Sequence, residues 1–116
     1  MAYRLYHNPG CSKSRASLAL LNDSGVDYEL VEYLKTPPSA AELQDIAAAL
    51  GLPVRELARA SDAAKLGLTE ELAAASDDAA AQLLHDNPKL IERPIVVRDD
   101  GKAAIGRPTE AVAALL

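Results

Sequence analysis

A turn and the start of a helix are encoded by His7-Asn8-Pro9-Gly10-Cys11-Ser12-Lys13-Ser14-Arg15. The alternating run before it, residues 3–6, predicts a strand, and the apolar run after it, residues 16–21, predicts a helix. The Pro-Gly pair between them predicts a tight turn. The only cysteine of the chain, Cys11, is therefore expected where a strand passes into the N-terminus of a helix.

This position gives Cys11 the surroundings of a reactive thiol. Backbone N–H groups at a helix N-terminus favour negative charge, so a thiol there is shifted toward its nucleophilic thiolate form. The hydroxyls of Ser12 and Ser14 and the charges of Lys13 and Arg15 complete a predicted cradle for an oxyanion. A lone cysteine is more often a small buried residue, but these polar neighbours have to stay near solvent. An ordinary surface charge is the alternative interpretation of Lys13.

Composition limits the class of protein. A length of 116 residues predicts a single domain, residues 1–116. No run approaches the length of a membrane span and residues 1–4 lack a signal-peptide pattern, so we expect a cytoplasmic protein without a membrane partner. One cysteine excludes an internal disulfide and any metal site built from several cysteines. The net charge of −5 argues against a nucleic-acid partner, and we expect a monomer.

The periodicity along the chain predicts an α/β fold. The predicted strands are 3–6, 28–34, 95–97 and 103–105. The predicted helices are 12–24, 39–50, 53–59, a short one from 69, 76–86 and 108–116. The apolar middle of the first helix suggests that it is well buried. This order is that of the thioredoxin architecture with a helical insertion at about 39–87. The first two strands are then parallel, and the last two form an antiparallel hairpin.

Capping residues mark several helix ends. Gly25 is predicted to end the first helix in the left-handed conformation. Ser39 with Glu42 has the pattern of a capping box, and Ser76 is predicted to cap the later helix. Thr69 is the predicted cap of the short helix.

Four motifs together resemble the glutaredoxin-coupled arsenate reductases, whose fold is thioredoxin-like. They are His7-Asn8-Pro9-x-Cys11-x-x-Ser14-Arg15, Tyr33-Leu34-x-Thr36-Pro37-Pro38, Arg93-Pro94-Ile95-Val96-Val97 and Gly106-Arg107-Pro108. The resemblance covers nearly the whole chain. The Cys-Ser-Lys-Ser-Arg sequence is most similar to that of a subgroup of arsenate-reductase-like proteins.

The resemblance implies roles for a cysteine and three arginines. Cys11 matches the catalytic cysteine that attacks arsenate, and Arg59, Arg93 and Arg107 match the oxyanion-binding arginines. Arg93 and Arg107 each precede a proline, which holds the preceding residue extended and so fixes where each guanidinium projects. Arg59, judged by composition alone, is a solvated helix residue.

Three further residues are assigned by the same resemblance. His7 matches a histidine that helps to keep the thiol ionised, although it also fits a satisfied interior histidine. Pro94 matches a position that is a cis-proline in thioredoxin-like folds and is included among the substrate-binding residues. Ser14 is expected to donate a hydrogen bond from its hydroxyl to Cys11, since the two residues are neighbours on a helix. The alternative is that the Ser14 hydroxyl satisfies a backbone group in the first turn.

The resemblance implies a reaction in which the Cys11 thiolate attacks As(V) and arsenite is released. Position 14 is Ser, so a CxxC pair is absent and the second thiol has to come from outside the chain. The resemblance implies glutathione and then glutaredoxin as its sources. No bound cofactor is expected, and glutathione is a co-substrate. Two alternatives stay open: a thiol oxidoreductase acting on another oxyanion or on a glutathione mixed disulfide, and a non-enzymatic regulator that binds RNA polymerase.

Overall fold

The structure, a computed structural model, describes residues 2–116. The strands are β1 (Ala2–His7), β2 (Asp27–Glu32), β3 (Ile95–Arg98) and β4 (Ala103–Ile105). The α-helices are α1 (Ser12–Ser24), α2 (Ala40–Leu50), α3 (Ala60–Leu66), α4 (Thr69–Ala74), α5 (Asp77–Asp86) and α6 (Glu110–Ala113). Two short 3₁₀ helices, Val54–Leu57 and Pro88–Leu90, lie between them. Within this range no helix is long and apolar enough to cross a membrane.

The chain divides into two compact units. The first contains residues 2–36 and 93–116, with all four strands, α1 and α6. The second contains residues 37–92, with α2 to α5 and both 3₁₀ helices. In sequence, the helical unit is therefore inserted between the two halves of the sheet unit. The assignment of all 116 residues to one domain stays a prediction.

The first unit is built on a four-stranded sheet in the order β2-β1-β3-β4. β1 and β2 are parallel, with His7 opposite Glu32, whereas β3 runs antiparallel to both β1 and β4. The parallel β1–β2 pair and the antiparallel β3–β4 pair are as predicted. Because Ile95 is paired with both Tyr6 and Ile105, the turn after β1, the segment before β3 and the segment after β4 meet at one end of the sheet.

The core of the first unit packs the sheet against one side of α1. Its fully or nearly buried members are Tyr3, Leu5, Leu21, Val96, Val112 and Leu115. The buried residues of α1 are Ser14, Ser17 and Leu21, which form one stripe at helical spacing. The prediction that the whole apolar middle of α1 is buried is wrong, since the packing uses one stripe and leaves Ala16 and Ala19 exposed.

The second unit is a small helical assembly with serine caps at two helix starts. The hydroxyl of Ser39 accepts the backbone N–H of Glu42 at 3.1 Å, and that of Ser76 accepts the N–H of Ala79 at 3.2 Å. Both caps are as predicted. The apolar faces of α2 and α5 pack together, and residues such as Leu43 and Leu84 are fully buried.

Several predicted boundaries differ from the structure. β2 ends at Glu32 rather than residue 34, because the Glu32 carbonyl accepts the N–H groups of both Lys35 and Thr36 and so closes a turn. α6 is limited to Glu110–Ala113, and α3 is a separate helix that the apolar pattern did not reveal. Thr69 is the first residue of α4 and Leu68 occupies its cap position.

Candidate active site

The site is built on the turn between β1 and α1. Cys11 has an extended backbone, with φ −101° and ψ 123°, and occupies the N-cap position of α1. Asn8 holds the turn from both sides, since its carbonyl accepts the Cys11 N–H at 3.0 Å and its side-chain oxygen accepts the Gly10 N–H at 2.9 Å. The Arg15 guanidinium donates to the Pro9 carbonyl at 2.8 Å. The position of the sulfur is therefore set by local backbone bonds.

The pKa of Cys11 is lowered from its ordinary value. Burial of the sulfur is the largest single influence and raises the pKa, since it disfavours the charged form. The backbone N–H groups of Ser14 and Lys13, then the charge of Arg107 and the Arg93 side chain, act in the opposite direction and together outweigh burial. Cys11 is partly exposed, so the thiolate is both favoured and accessible.

The two arginines that precede prolines both reach Cys11. The Arg107 Nη2 donates to the Cys11 sulfur at 3.3 Å, and its Nε donates to the Arg93 carbonyl at 2.8 Å. The Arg93 side chain also acts on the sulfur and lowers the Cys11 pKa. This convergence was predicted, although the two arginines are more than 80 residues away from Cys11 in sequence. It follows from the sheet, which brings the segments before β3 and after β4 to the Cys11 turn.

Both proline bonds at the site are cis. The Arg93–Pro94 bond is cis, as predicted, and Arg107–Pro108 is a second cis bond that was not predicted. Pro94 is buried, and its carbonyl accepts the Gly106 N–H at 2.9 Å. A Cβ at Gly106 would lie 2.6 Å from the Pro94 ring and 2.6 Å from the Ser17 hydroxyl oxygen. Gly106 therefore permits the close approach of α1 to the segment that carries Arg107.

The hydroxyl of Ser14 bonds to His7 and not to Cys11. The Ser14 Oγ lies 2.6 Å from Nδ1 of His7 and accepts the backbone N–H of Asn8 at 3.0 Å. The prediction of a hydrogen bond between the Ser14 hydroxyl and the Cys11 thiolate is therefore wrong within residues 2–116. The backbone N–H of Ser14, rather than its side chain, favours the thiolate. Cys11 is the N-cap residue of α1, and its side chain forms no capping hydrogen bond of standard geometry.

His7 is buried, and its pKa is lowered. Burial is the main cause, the charge of Arg15 acts in the same direction, and the Glu32 carboxylate opposes both. His7 is therefore neutral at neutral pH and bonds to Ser14 in that form. Its assignment as a residue that keeps the thiol ionised stays a prediction, and the contact through which it would act is the one to Ser14.

The other predicted site residues are placed as follows. Ser12 and Lys13 are exposed in the first turn of α1, and Lys13 contributes its backbone N–H to the Cys11 site. Arg59 belongs to the second unit, where its N–H donates to the Leu90 carbonyl at 2.7 Å and its guanidinium pairs with Asp62 at 3.4 Å. Arg59 is the N-cap residue of α3 with an extended backbone, so its interpretation as a solvated helix residue is wrong.

Two residues at the site received no role from the sequence alone. Asn8 belongs to the Cys11 motif and Tyr33 to the motif that ends in Pro37-Pro38, but their neighbours in sequence do not distinguish them from ordinary turn and strand residues. Tyr33 is fully buried in the turn after β2, and its hydroxyl forms no hydrogen bond of standard geometry with the described residues. The charges of Arg93 and Cys11 and the side chain of Asn8 all influence the pKa of Tyr33.

Comparison with known proteins identifies relatives along the whole chain. The model of the ArsC family matches residues 6–115. The uncharacterised Escherichia coli protein YfgD is 49% identical over 110 residues, which cover 94% of this chain and 92% of that protein. An arsenate reductase of Neisseria meningitidis is 45% identical over 114 residues, 97% of each chain. The solved structure of an arsenate reductase from Vibrio cholerae has a TM-score of 0.90 and 44% identity, covering 100% of this chain and 98% of that one.

The fold and the site define a thioredoxin-like protein that presents one cysteine at the start of a helix, in contact with Arg107. The matched structures confirm the predicted fold class, an α/β fold with a mixed sheet and a helical insertion. The chain belongs to the ArsC family.

Proposed function

We propose that this protein is an arsenate reductase in which the Cys11 thiolate attacks the As(V) oxyanion. The observation that carries the proposal is the 3.3 Å contact between Arg107 Nη2 and the Cys11 sulfur. A guanidinium held there would lie against the oxygens of an oxyanion bonded to the sulfur, and its planar fork suits such oxygens. The 45% identity to the arsenate reductase of N. meningitidis supports arsenate as the substrate.

The proposed first step forms a covalent adduct. The Cys11 sulfur bonds to arsenic, and one hydroxide leaves arsenic and takes up a proton as water, so that arsenic stays As(V). Arg93 and Arg107 stabilise the charge on the remaining oxygens, with Arg59 proposed as the third arginine. The N–H groups of the first turn of α1 act on the same charge. Ser12, Lys13, Ser14, Arg15 and Pro94 are the other proposed substrate-binding residues.

The reduction needs thiols from outside the chain, because Cys11 is its only cysteine. Glutathione bonds to arsenic as a second water leaves. A glutaredoxin thiolate then attacks the glutathione sulfur, which forms a mixed disulfide and leaves the bonding pair on arsenic as As(III). Water cleaves the Cys11–arsenic bond and releases arsenite. The protein would need no bound cofactor, and a reducing cytoplasm, where we place it as a monomer, would supply both thiol donors.

A coupled assay tests this proposal. Purified protein is incubated with arsenate, glutathione and glutaredoxin, and arsenite is measured. We expect arsenite formation that requires both thiol donors and disappears in Cys11→Ser. Arg4→Gln is the matched control, since Arg4 is an exposed arginine paired with Glu29 at 3.3 Å on β1.

Two results would overturn the proposal. Turnover of another oxyanion or of a glutathione mixed disulfide, without arsenite, would favour the alternative thiol oxidoreductase. Binding to RNA polymerase that persists in Cys11→Ser, with no turnover of any substrate, would favour the regulator.

A further inference from the structure

A buried hydroxyl lies at the back of the Cys11 site. Tyr33 has 0% of its surface exposed, and its Oη forms no hydrogen bond of standard geometry within residues 2–116. Burying a hydroxyl without a well-formed bond costs free energy, so such a group in a native fold requires an explanation. Filling the core does not provide one, because a phenylalanine ring would fill the same space.

The sheet topology places this hydroxyl beside the active-site turn. His7 and Glu32 are opposite each other in the parallel pair β1–β2, so the chain leaves both strands at the same end of the sheet. One strand continues into Asn8 and the Cys11 turn. The other continues into Tyr33, in the turn that the Glu32 carbonyl closes.

The charged and polar groups around Tyr33 are those of the site. Burial is the largest influence on the Tyr33 pKa and raises it, as does the negative charge of Cys11. The charge of Arg93 and the side chains of Asn8 and Arg93 oppose this rise through their proximity to the hydroxyl. None of these neighbours forms a hydrogen bond of standard geometry with the hydroxyl. Tyr33 therefore stays protonated at neutral pH, and Arg93 is the cationic side chain that acts on its hydroxyl.

We propose that Tyr33 is a positioning residue that holds the Arg93 guanidinium against the Cys11 sulfur, with its buried hydroxyl as the support behind Arg93. Arg93 is partly buried and acts on both this hydroxyl and the Cys11 thiolate, which it favours. Without the hydroxyl, the side chain would occupy more orientations and would favour the thiolate less. The inference deepens the proposed function and rests on it only for the identity of the oxyanion.

The test is the pH dependence of Cys11 alkylation by iodoacetamide in Tyr33→Phe, which removes the hydroxyl and keeps the ring. We expect the midpoint of the alkylation profile to rise, with roughly threefold less thiolate at a pH below the midpoint. Folding should be preserved, since no well-formed hydrogen bond is lost, and urea unfolding of the same samples checks this. Tyr3→Phe is the matched control, because the buried Tyr3 hydroxyl donates to the Leu115 carbonyl at 3.2 Å, away from Cys11.

A double-mutant cycle shows whether Tyr33 acts through Arg93. In an Arg93→Ala background, Tyr33→Phe should have no further effect on the midpoint. An unchanged midpoint in the Tyr33→Phe single variant would overturn the proposal. A rise of equal size with and without Arg93 would also overturn it, since the hydroxyl would then act on the sulfur directly. Alkylation needs no arsenate, so failure here is distinguishable from failure of the proposed function in the arsenite assay.

Discussion

Cys11 is made reactive by groups that come from two distant parts of the sequence. The backbone N–H groups of Ser14 and Lys13 are local to the start of α1, whereas Arg93 and Arg107 arrive from the segments before β3 and after β4. Each of these groups favours the thiolate, and burial opposes them. The backbone N–H groups remain when either arginine is replaced. Mutation can therefore separate the effect of the arginines on the Cys11 pKa from the effect of the backbone.

The Cys11 alkylation profile should therefore have its midpoint below the free-thiol value of about 8.5. In Arg107→Gln the midpoint should rise, with about three- to tenfold less thiolate below it, because a charge-assisted contact at a partly exposed site is lost. Iodoacetamide alkylation followed against pH measures both effects, and Arg4→Gln is the control. A midpoint in Arg107→Gln equal to that of the unchanged protein would mean that the 3.3 Å contact has no electrostatic effect in solution.

Ser14→Ala should affect stability more than thiol chemistry. The substitution leaves the Nδ1 of buried His7 and the Asn8 N–H without their partner, and we expect a loss of about 1–3 kcal/mol in the free energy of unfolding. The alkylation midpoint should change little, because the backbone N–H that faces the sulfur remains. Urea unfolding and alkylation of the same variant measure the two effects, with Ser24→Ala, an exposed serine at the far end of α1, as the control. A raised midpoint with unchanged stability would restore the hydroxyl–thiolate bond that the sequence suggested.

The contact between α1 and the segment after β4 depends on two small residues. Gly106 leaves no room for a Cβ, because the Pro94 ring and the Ser17 hydroxyl would both lie 2.6 Å from it. The Ser17 hydroxyl is itself buried without a hydrogen-bond partner among residues 2–116. The position of Arg107, the residue after Gly106, is thus linked to the packing of the helix that begins at Cys11.

Gly106→Ala should destabilise the protein by about 1–3 kcal/mol, the range expected for an overpacked core. Ser17→Ala alone should cost little, since an unpartnered hydroxyl is removed. The double variant should recover part of the loss, because one of the two close contacts disappears. Thermal or urea unfolding of the three variants measures this coupling, and strictly additive effects would show that Gly106 and Ser17 do not crowd each other.

The stability of the whole protein should fall between pH 7 and pH 5 because of His7. Its folded-state pKa is lowered, mainly by burial, so the unfolded chain binds a proton more readily than the folded one. Stability is then fully present above the unfolded value of about 6.5 and is lost as the pH falls from there toward the folded pKa. Urea midpoints at pH 7 and pH 5 should differ in this direction, and His7→Asn should reduce the difference.

Asp100 provides an internal comparison at lower pH. The Arg98 guanidinium lowers the pKa of Asp100 to about 2, with the two side chains 2.8 Å apart. Its ion pair is therefore retained from pH 7 to pH 5, and Asp100→Asn should leave the stability difference over that range in place. A slope between pH 7 and pH 5 that persists in His7→Asn and disappears in Asp100→Asn would contradict both assignments.

Sequence alone determined the parts of this protein that depend on near neighbours. The Pro-Gly turn before Cys11, the limits of α1, the serine caps at Ser39 and Ser76 and the β3–β4 hairpin are all set by side chains within a few residues. The convergence of Arg93 and Arg107 on Cys11 was also predictable, but only because the motif resemblance supplied the thioredoxin-like topology.

Tertiary structure decided which atoms meet. Whether the hydroxyl of Ser14 bonds to Cys11 or to His7 depends on how the end of β1 lies over α1, and helical spacing permits both. Tyr33 became part of the site because β2 ends at Glu32 and is parallel to β1, so that its turn lies beside Asn8. Likewise, Gly106 meets Ser17 only after the sheet and helix have packed. Such contacts join residues distant in sequence, and the packing of the whole unit selects them among alternatives that local propensities leave equally open.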